Sequence, residues 1–182
     1  MSAIDTGTTT IPAGTYNGVP VHSSANFSVK YLVSSFRGSF EEFESVLRVD
    51  ESGNAVLDGK VRADSIKVKD ENLAAHLQSP EFFDTEQHPE LTFHSLQLTV
   101  DGDRATVEGD LTIKGHTERI TGTGAIAGPT EDFMGNTKLG LTLDTAIDRT
   151  KFGLNWNAPL PKGGFALSNE VKLQVELELI KA

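Results

Sequence analysis

The sequence predicts an all-β fold, a closed antiparallel β-barrel of about eight strands with one short helix. Three observations carry that expectation. Apolar and polar residues alternate with a period of two in segment after segment, as they must where a strand sends successive side chains to opposite faces of its sheet. Hairpin-type turns separate these runs, Asp50-Glu51-Ser52-Gly53-Asn54 between two of them and Asp101-Gly102-Asp103 between two more, which makes the neighbours antiparallel. Long, curved, amphipathic strands in this number close on themselves, because closure removes exposed edges.

Residues 1–13, rich in Thr, Ser and Gly, read as a flexible, partly ordered N-terminal arm, and residues 14–182 as the barrel domain. The first long strand is read from Val21, with Val21, Ser23, Ala25, Phe27, Val29 and Tyr31 on its inner face. Phe36 and Phe40 then share even parity, whereas Phe43, Leu47 and Val49 are odd, so an extra residue near Glu41 and Glu42 must switch faces. After Ile66 comes the helix, Asp70 to Gln78, with Asp70 as its cap, Leu73 and Leu77 spaced i to i+4, and Pro80 ending it. A second phase change, from Leu91 and Phe93 to Leu96, Leu98 and Val100, predicts a bulge near Ser95. Three more inward sets follow: Ala105, Val107, Leu111 and Ile113; Ile120 and Ile126 flanking Gly122 and Gly124; and Leu139, Leu141, Leu143 and Ile147. An irregular stretch from Asp148 to Ser168 leads into the cleanest alternation of all, Val171, Leu173, Val175, Leu177 and Leu179 against Lys172, Gln174, Glu176 and Glu178.

Composition narrows the function. At 182 residues with 37% hydrophobic and 23% charged side chains, the chain builds one domain and folds. A formal charge of −10 opposes nucleic-acid binding, and the absence of cysteine removes thiolate metal sites, Fe–S clusters and Cys nucleophiles. No signal-peptide pattern and no apolar run of membrane-spanning length stands in the chain, which makes the cytoplasm the expected compartment. His22, His76, His88, His94 and His116 show no HxH or HExxH spacing, so they are read as surface or loop residues with no metal. No GxSxG or GxGxxG occurs, Gly109 to Gly115 ends in Lys-Gly and is not a phosphate-binding loop, and Asn26-Phe27-Ser28 is a chance glycosylation match.

A barrel of eight strands is either filled by its own side chains or holds one small ligand. Ser23, Ala25, Gly38, Gly59, Ala63, Gly109, Gly122 and Gly124 sit at inward positions, where small residues either leave volume or ease strand coiling; both readings stand. If there is a lumen, its lining is expected from Phe27, Val29, Phe36, Phe40, Phe43, Phe93, Leu111, Ile113 and Leu141, with Phe83, Phe152 and Trp156 towards the ends. The apolar loop around Trp156 either plugs one end or forms the rim of an entrance. Of the adjacent Phe82 and Phe83, one is expected to pack inward and the other on the helix.

Several motifs, in order, resemble the YceI-like family of lipocalin-like barrels that bind polyisoprenoid and related long-chain lipids. They are Gly14-Thr15-Tyr16, the strand His22 to Val29, Arg37 to Phe43, Ser65-Ile66, His76 to Asp84, His88 to Phe93, Gly109 to Gly115, and Asp148-Arg149-Thr150-Lys151-Phe152-Gly153-Leu154. The resemblance implies an apolar tunnel for an isoprenoid, isoprenoid quinone or fatty-acid derivative, held for transport or storage. It further implies no catalytic residues, no cofactor other than that lipid, a homodimer, and transient membrane contact. Two departures stand out: many relatives carry a secretion signal, and the family's Arg-Asp before the helical His-Leu is here Leu73-Ala74. An acidic chain resists a diphosphate unless Lys30, Arg37 or Arg149 stands close, so a neutral head group is expected. The rivals are a small-molecule enzyme, which needs converging polar groups inside the barrel, and an interaction protein built on a side-chain-filled barrel.

Overall fold

The period-two runs become strands, and the phase changes become the corners that let those strands curve. The computed structural model describes residues 11–182; residues 1–10 of the expected arm lie outside them. The described residues form eleven strands: β1 (Gly14–Gly18), β2 (Ser24–Tyr31), β3 (Ser34–Phe40), β4 (Phe43–Val49), β5 (Ala55–Arg62), β6 (Ile66–Lys67), β7 (Glu90–Asp101), β8 (Arg104–Ile113), β9 (His116–Glu131), β10 (Thr137–Asp148) and β11 (Leu167–Lys181). One α-helix, α1 (Glu71–Gln78), lies between β6 and β7.

Eleven strands fill eight positions around the ring. β1 and β2 both pair with β11, Tyr16 opposite Lys181 and Phe27 opposite Leu173, so they are two halves of one strand interrupted by a 3-10 turn at Pro20–His22. β3 and β4 are likewise halves of the next strand, β3 beside β2 and β4 beside β1, bent at Glu41 and Glu42 where the parity changes. The ring continues antiparallel through β5, β7, β8, β9, β10 and β11 and closes on β1 and β2. The short β6 continues β5 beyond a 3-10 turn at Ala63–Ser65 and pairs with β3 as β5 pairs with β4, so these two are also halves of one position. Val21 is a correction: it lies in the 3-10 turn and is 83% exposed, because the alternating strand starts only at Ser24.

The second bulge falls where the parity places it, between Ser95 and Gln97 of the β7–β8 ladder. The Leu57 amide donates to Ser95 Oγ at 2.7 Å, so that amide is satisfied by a side chain where the β5–β7 ladder stops at His94. Gly109 faces Ser95, and a β-carbon on it would lie 2.5 Å from the His94 carbonyl oxygen and 2.7 Å from the Phe93 ring. Gly38 makes room in the same way for the Phe27 ring, so these two glycines serve close approach and leave no open volume.

In α1, Asp70 accepts from the Asn72 amide at 2.9 Å, and Leu77 is buried against the barrel. The helix and its flanking segments close one end of the ring. The opposite end holds the hairpin turns after β4, β7 and β9 and is packed solid: Tyr16 and Leu179 have no exposed surface, and Leu47, Leu139 and Leu141 are at most 2% exposed. Tyr16 donates its hydroxyl to the Pro12 carbonyl at 2.7 Å, and Ile11 is buried in the same cluster, so ordered chain begins before Gly14.

Candidate functional site

Above the packed end the inward side chains stop meeting across the barrel. They line a cavity of about 530 Å³, within the range of small-molecule sites. On β8 its wall runs from Val107 to Ile113, and along β10 and into the turn that follows it from Leu143 to Arg149. Six residue steps of strand are roughly 20 Å, or about 15 Å along the axis of a barrel whose strands tilt by about 40°. Leu57, Val107 and Leu177 form the floor, where cavity gives way to packed core. Gly59 and Gly122 lie on the wall, where an added β-carbon would meet nothing closer than 3.9 and 3.4 Å, so at these two positions close approach does not demand glycine.

Ten of the residues expected from sequence line this cavity: Phe27, Val29, Phe36, Phe40, Phe43, Phe83, Phe93, Leu111, Ile113 and Trp156. Phe27 contacts Phe36 and Phe40 at ring distances of 5.8 Å each, and Phe40 meets Phe83 edge-on at 5.7 Å. Leu141 and Phe152 are corrections. Leu141 shares inward parity with Leu143 but lies one step lower, within the packed end. Phe152 sits in a 3-10 turn (Arg149–Phe152) that carries its ring behind the wall, where it is 1% exposed. Sequence reasoning left out Ile120, Leu143, Val171 and Leu173, wall residues whose inward strand parity could have named them, and Leu73 of α1, where no period of two applies. Leu73 belongs to the dipeptide that departs from the family pattern, and it adds an apolar group to the wall where that pattern has charge.

The upper end is covered by three segments clasped through one histidine. His76 of α1 stands edge-on to Trp156 and to Phe82, each at 5.0 Å, and Phe82 and Trp156 are 5.4 Å apart. Glu81 fixes the imidazole from outside, 2.5 Å from Nε2. Trp156 is thus both plug and wall, and the Phe pair splits in its contacts, Phe83 on Phe40 and Phe82 on His76 of the helix, while both line the cavity. Three other histidines find partners on the exposed surface: His22 with Glu178, His94 with Asp58, and His116 with the Lys114 carbonyl. Among the described residues no three His, Asp or Glu side chains group as a metal site.

Arg149 also reaches the wall, and sequence gave it no inward assignment. Asp148 accepts from the Thr150 amide and hydroxyl at 2.9 and 2.6 Å, which starts the 3-10 turn and holds the Asp148 carboxyl below its usual range. Gly153, at φ 77°, ends the turn. Arg149 is left 3% exposed, donating from Nε to the Ser168 carbonyl at 2.8 Å and from Nη1 to the carbonyls of Leu154 and Trp156 at 2.5 and 2.9 Å. Burial pulls its guanidinium below the ordinary value, with the Asp148 charge opposing. Lys30 and Arg37, the other cations weighed for a head group, are exposed.

Beside this covered end two chain tips project together. The β2–β3 turn carries Leu32 and Val33, 56% and 103% exposed, and the Leu32 amide donates to the Ala166 carbonyl of the loop that carries exposed Phe165. Leu32 is left-handed at φ 53°, where hairpins ordinarily place Asn or Gly.

The fold and the motifs have counterparts among known proteins. The protein YceI of Escherichia coli O157:H7 is 30% identical over 94 residues, an alignment covering 50% of this chain and 49% of that protein; the match thus spans about half the length of this relative. BcnA of Burkholderia cenocepacia superposes with a TM-score of 0.74 at 20% identity, covering 91% of this chain and 99% of its own. A polyisoprenoid binding domain from Saccharophagus degradans, implicated in plant cell wall breakdown, gives 0.66 at 13% identity over 94% and 100% of the two chains. At such identities these two speak for the fold, a lipocalin-like barrel. The YceI-like domain family matches residues 16–179, nearly every strand of the ring, and with that match the chain belongs to the YceI-like family.

Proposed function

We propose that the chain binds a long-chain apolar lipid, an isoprenoid, isoprenoid quinone or fatty-acid derivative, inside the barrel, and that it carries or stores the lipid without chemically altering it. The observation that carries this reading is the cavity of about 530 Å³ in the barrel, walled mainly by aromatic and aliphatic side chains. An interaction protein on a filled barrel does not need such a space, and an enzyme needs polar groups converging on one point where this wall is mainly apolar. The polyisoprenoid binding by the fold relative from Saccharophagus degradans adds support.

Transport is the reading that the energetics favour. Burial from water contributes about 0.8 kcal/mol per CH₂, so a forty-carbon chain would nominally exceed the non-covalent affinity ceiling of roughly −20 kcal/mol. Such a lipid waits in membrane and exchanges one apolar surrounding for another at small net free energy. Native mass spectrometry of protein purified without detergent, followed by organic extraction, tests the reading. A stoichiometric long-chain lipid is expected, and the same spectrum shows whether two copies assemble as a homodimer. A ligand-free protein that also takes up no added lipid would overturn it.

Loading requires contact with the membrane, and the paired tips at the covered end suit that role. Leu32, Val33 and Phe165 are exposed apolar residues, and Lys30, Arg37 and Lys162 are exposed near them on a chain that is acidic as a whole. Each such cation contributes about 1 kcal/mol at an anionic surface. Val33→Asp is expected to slow lipid uptake from anionic vesicles about tenfold without changing thermal stability, read as the rate of transfer of a fluorescent isoprenoid. An unchanged rate would remove this face from the loading path.

A further inference from the structure

Among the described residues, two buried polar side-chain atoms find no hydrogen-bond partner, Ser45 Oγ and Arg149 Nη2, and both residues line the cavity. Ser45 lies between Phe43 on the wall and Leu47 in the packed end, whereas Arg149 stands at the covered end. The two are not equivalent. A serine hydroxyl is a neutral rotor, but an unpaired nitrogen of a buried guanidinium leaves charge uncompensated, which is far costlier. Three Arg149 N–H groups meet backbone carbonyls, which are neutral, and no carboxylate among the described residues forms an ion pair with it. Asp148, its neighbour in sequence, is engaged by Thr150.

On the lipid-binding reading above, we propose that Arg149 Nη2 anchors the polar end of the cavity's ligand, and that this end is a carbonyl or carboxylate oxygen carrying at most one negative charge. Nη2 has two N–H donors, enough for one such oxygen group. Arg149 is the only Lys or Arg on the wall among the described residues, so a diphosphate would keep most of its charge uncompensated in an apolar space. The acidic residues of the wall strengthen that exclusion. Asp58 is neutralised by Arg48, while Asp70, which caps α1, and the exposed Glu44 are anionic, so none of the three offers a diphosphate a neutralising partner. A bare hydrocarbon fails for the opposite reason, since it leaves the guanidinium unpaired. The neutral head expected from overall charge is therefore widened to include a single acid, because one cation stands where the net charge of −10 gives no hint of it.

The test is a competition series on the delipidated full chain, read by native mass spectrometry. Four probes share one C20 isoprenoid chain: geranylgeranoic acid, its methyl ester, the acceptor-free hydrocarbon and geranylgeranyl diphosphate. The acid and the ester are expected to bind about tenfold to a hundredfold more tightly than the hydrocarbon, as a hydrogen bond to a charged donor allows, and the diphosphate more weakly than the acid. In Arg149→Met the acid, ester and hydrocarbon are expected to bind alike. Equal binding of hydrocarbon and acid by the unmodified chain, tightest binding of the diphosphate, or a preference that survives Arg149→Met would each overturn the anchor while leaving lipid binding intact. Failure of all four probes to bind would overturn the lipid reading itself. The series on the unmodified chain decides without the variant, so the outcome does not depend on the variant folding.

Discussion

Replacing Gly122 by phenylalanine is expected to cut lipid loading about a hundredfold while leaving the barrel folded. Gly122 lies on the cavity wall opposite Val107 in the β8–β9 ladder, and a β-carbon added to it meets Val107 Cγ1 at 3.4 Å and nothing closer. Its backbone is ordinary strand, which phenylalanine favours over glycine. The ring must therefore occupy the lumen. A ligand forced to withdraw about four methylene-sized groups loses roughly 3 kcal/mol of burial, which is about a hundredfold in affinity. Loading measured by native mass spectrometry, with circular dichroism as the control for fold, checks this. Unchanged loading would mean that the ligand does not reach mid-barrel.

Leu141→Ala is expected to do the reverse, lowering stability by about 2–5 kcal/mol with loading changed less than twofold. Leu141 is 2% exposed in the cluster that fills the closed end, among Leu139, Leu177 and Leu179. Removing its side chain opens a void that close-packed neighbours cannot fill. For a chain of this size the loss corresponds to a melting temperature lower by about 4–20 °C. Urea denaturation gives the free energy and the loading assay gives the contrast with Gly122→Phe. Lost loading at wild-type stability would put the floor of the cavity below Leu141 and return that residue to the binding wall.

Leu141 also marks the limit of what the sequence could convey. Alternation assigns Leu139, Leu141 and Leu143 to the inner face, and they are there, but parity carries no information on height along the barrel. Height is set by the pairing of β10 with β9 and β11, which places Leu141 opposite Ile126 and Leu177 and leaves Leu143 one step up, opposite Gly124 and Val175. The corners were legible for the same reason that height was not. A change of parity at Glu41 and Glu42 or at Ser95 is local, and so is Asp70 as a cap. Outside the strands the signal faded. Phe152 and Arg149 share one short 3-10 turn, where no period of two applies, and their exchange of roles, phenylalanine behind the wall and arginine on it, follows from how Gly153 and the Ser168 carbonyl seat that turn. Val21 misled because its parity continued that of β2 across a turn that Pro20 begins.

The solid packing of one end gives the lumen a bottom, and a vessel with a bottom measures what it holds. Its depth of about 15 Å, counted from the strand steps between floor and Arg149, is half the roughly 30 Å hydrocarbon thickness of a bilayer. On the lipid-binding reading, a tail drawn from a membrane exchanges one leaflet for a space of the same depth, and it enters from the covered end because the opposite end is packed solid. A chain of leaflet length fits between Leu177 and the lid, whereas a longer one must fold back on itself or leave carbons outside, so the floor acts as a gauge of chain length independent of the head group.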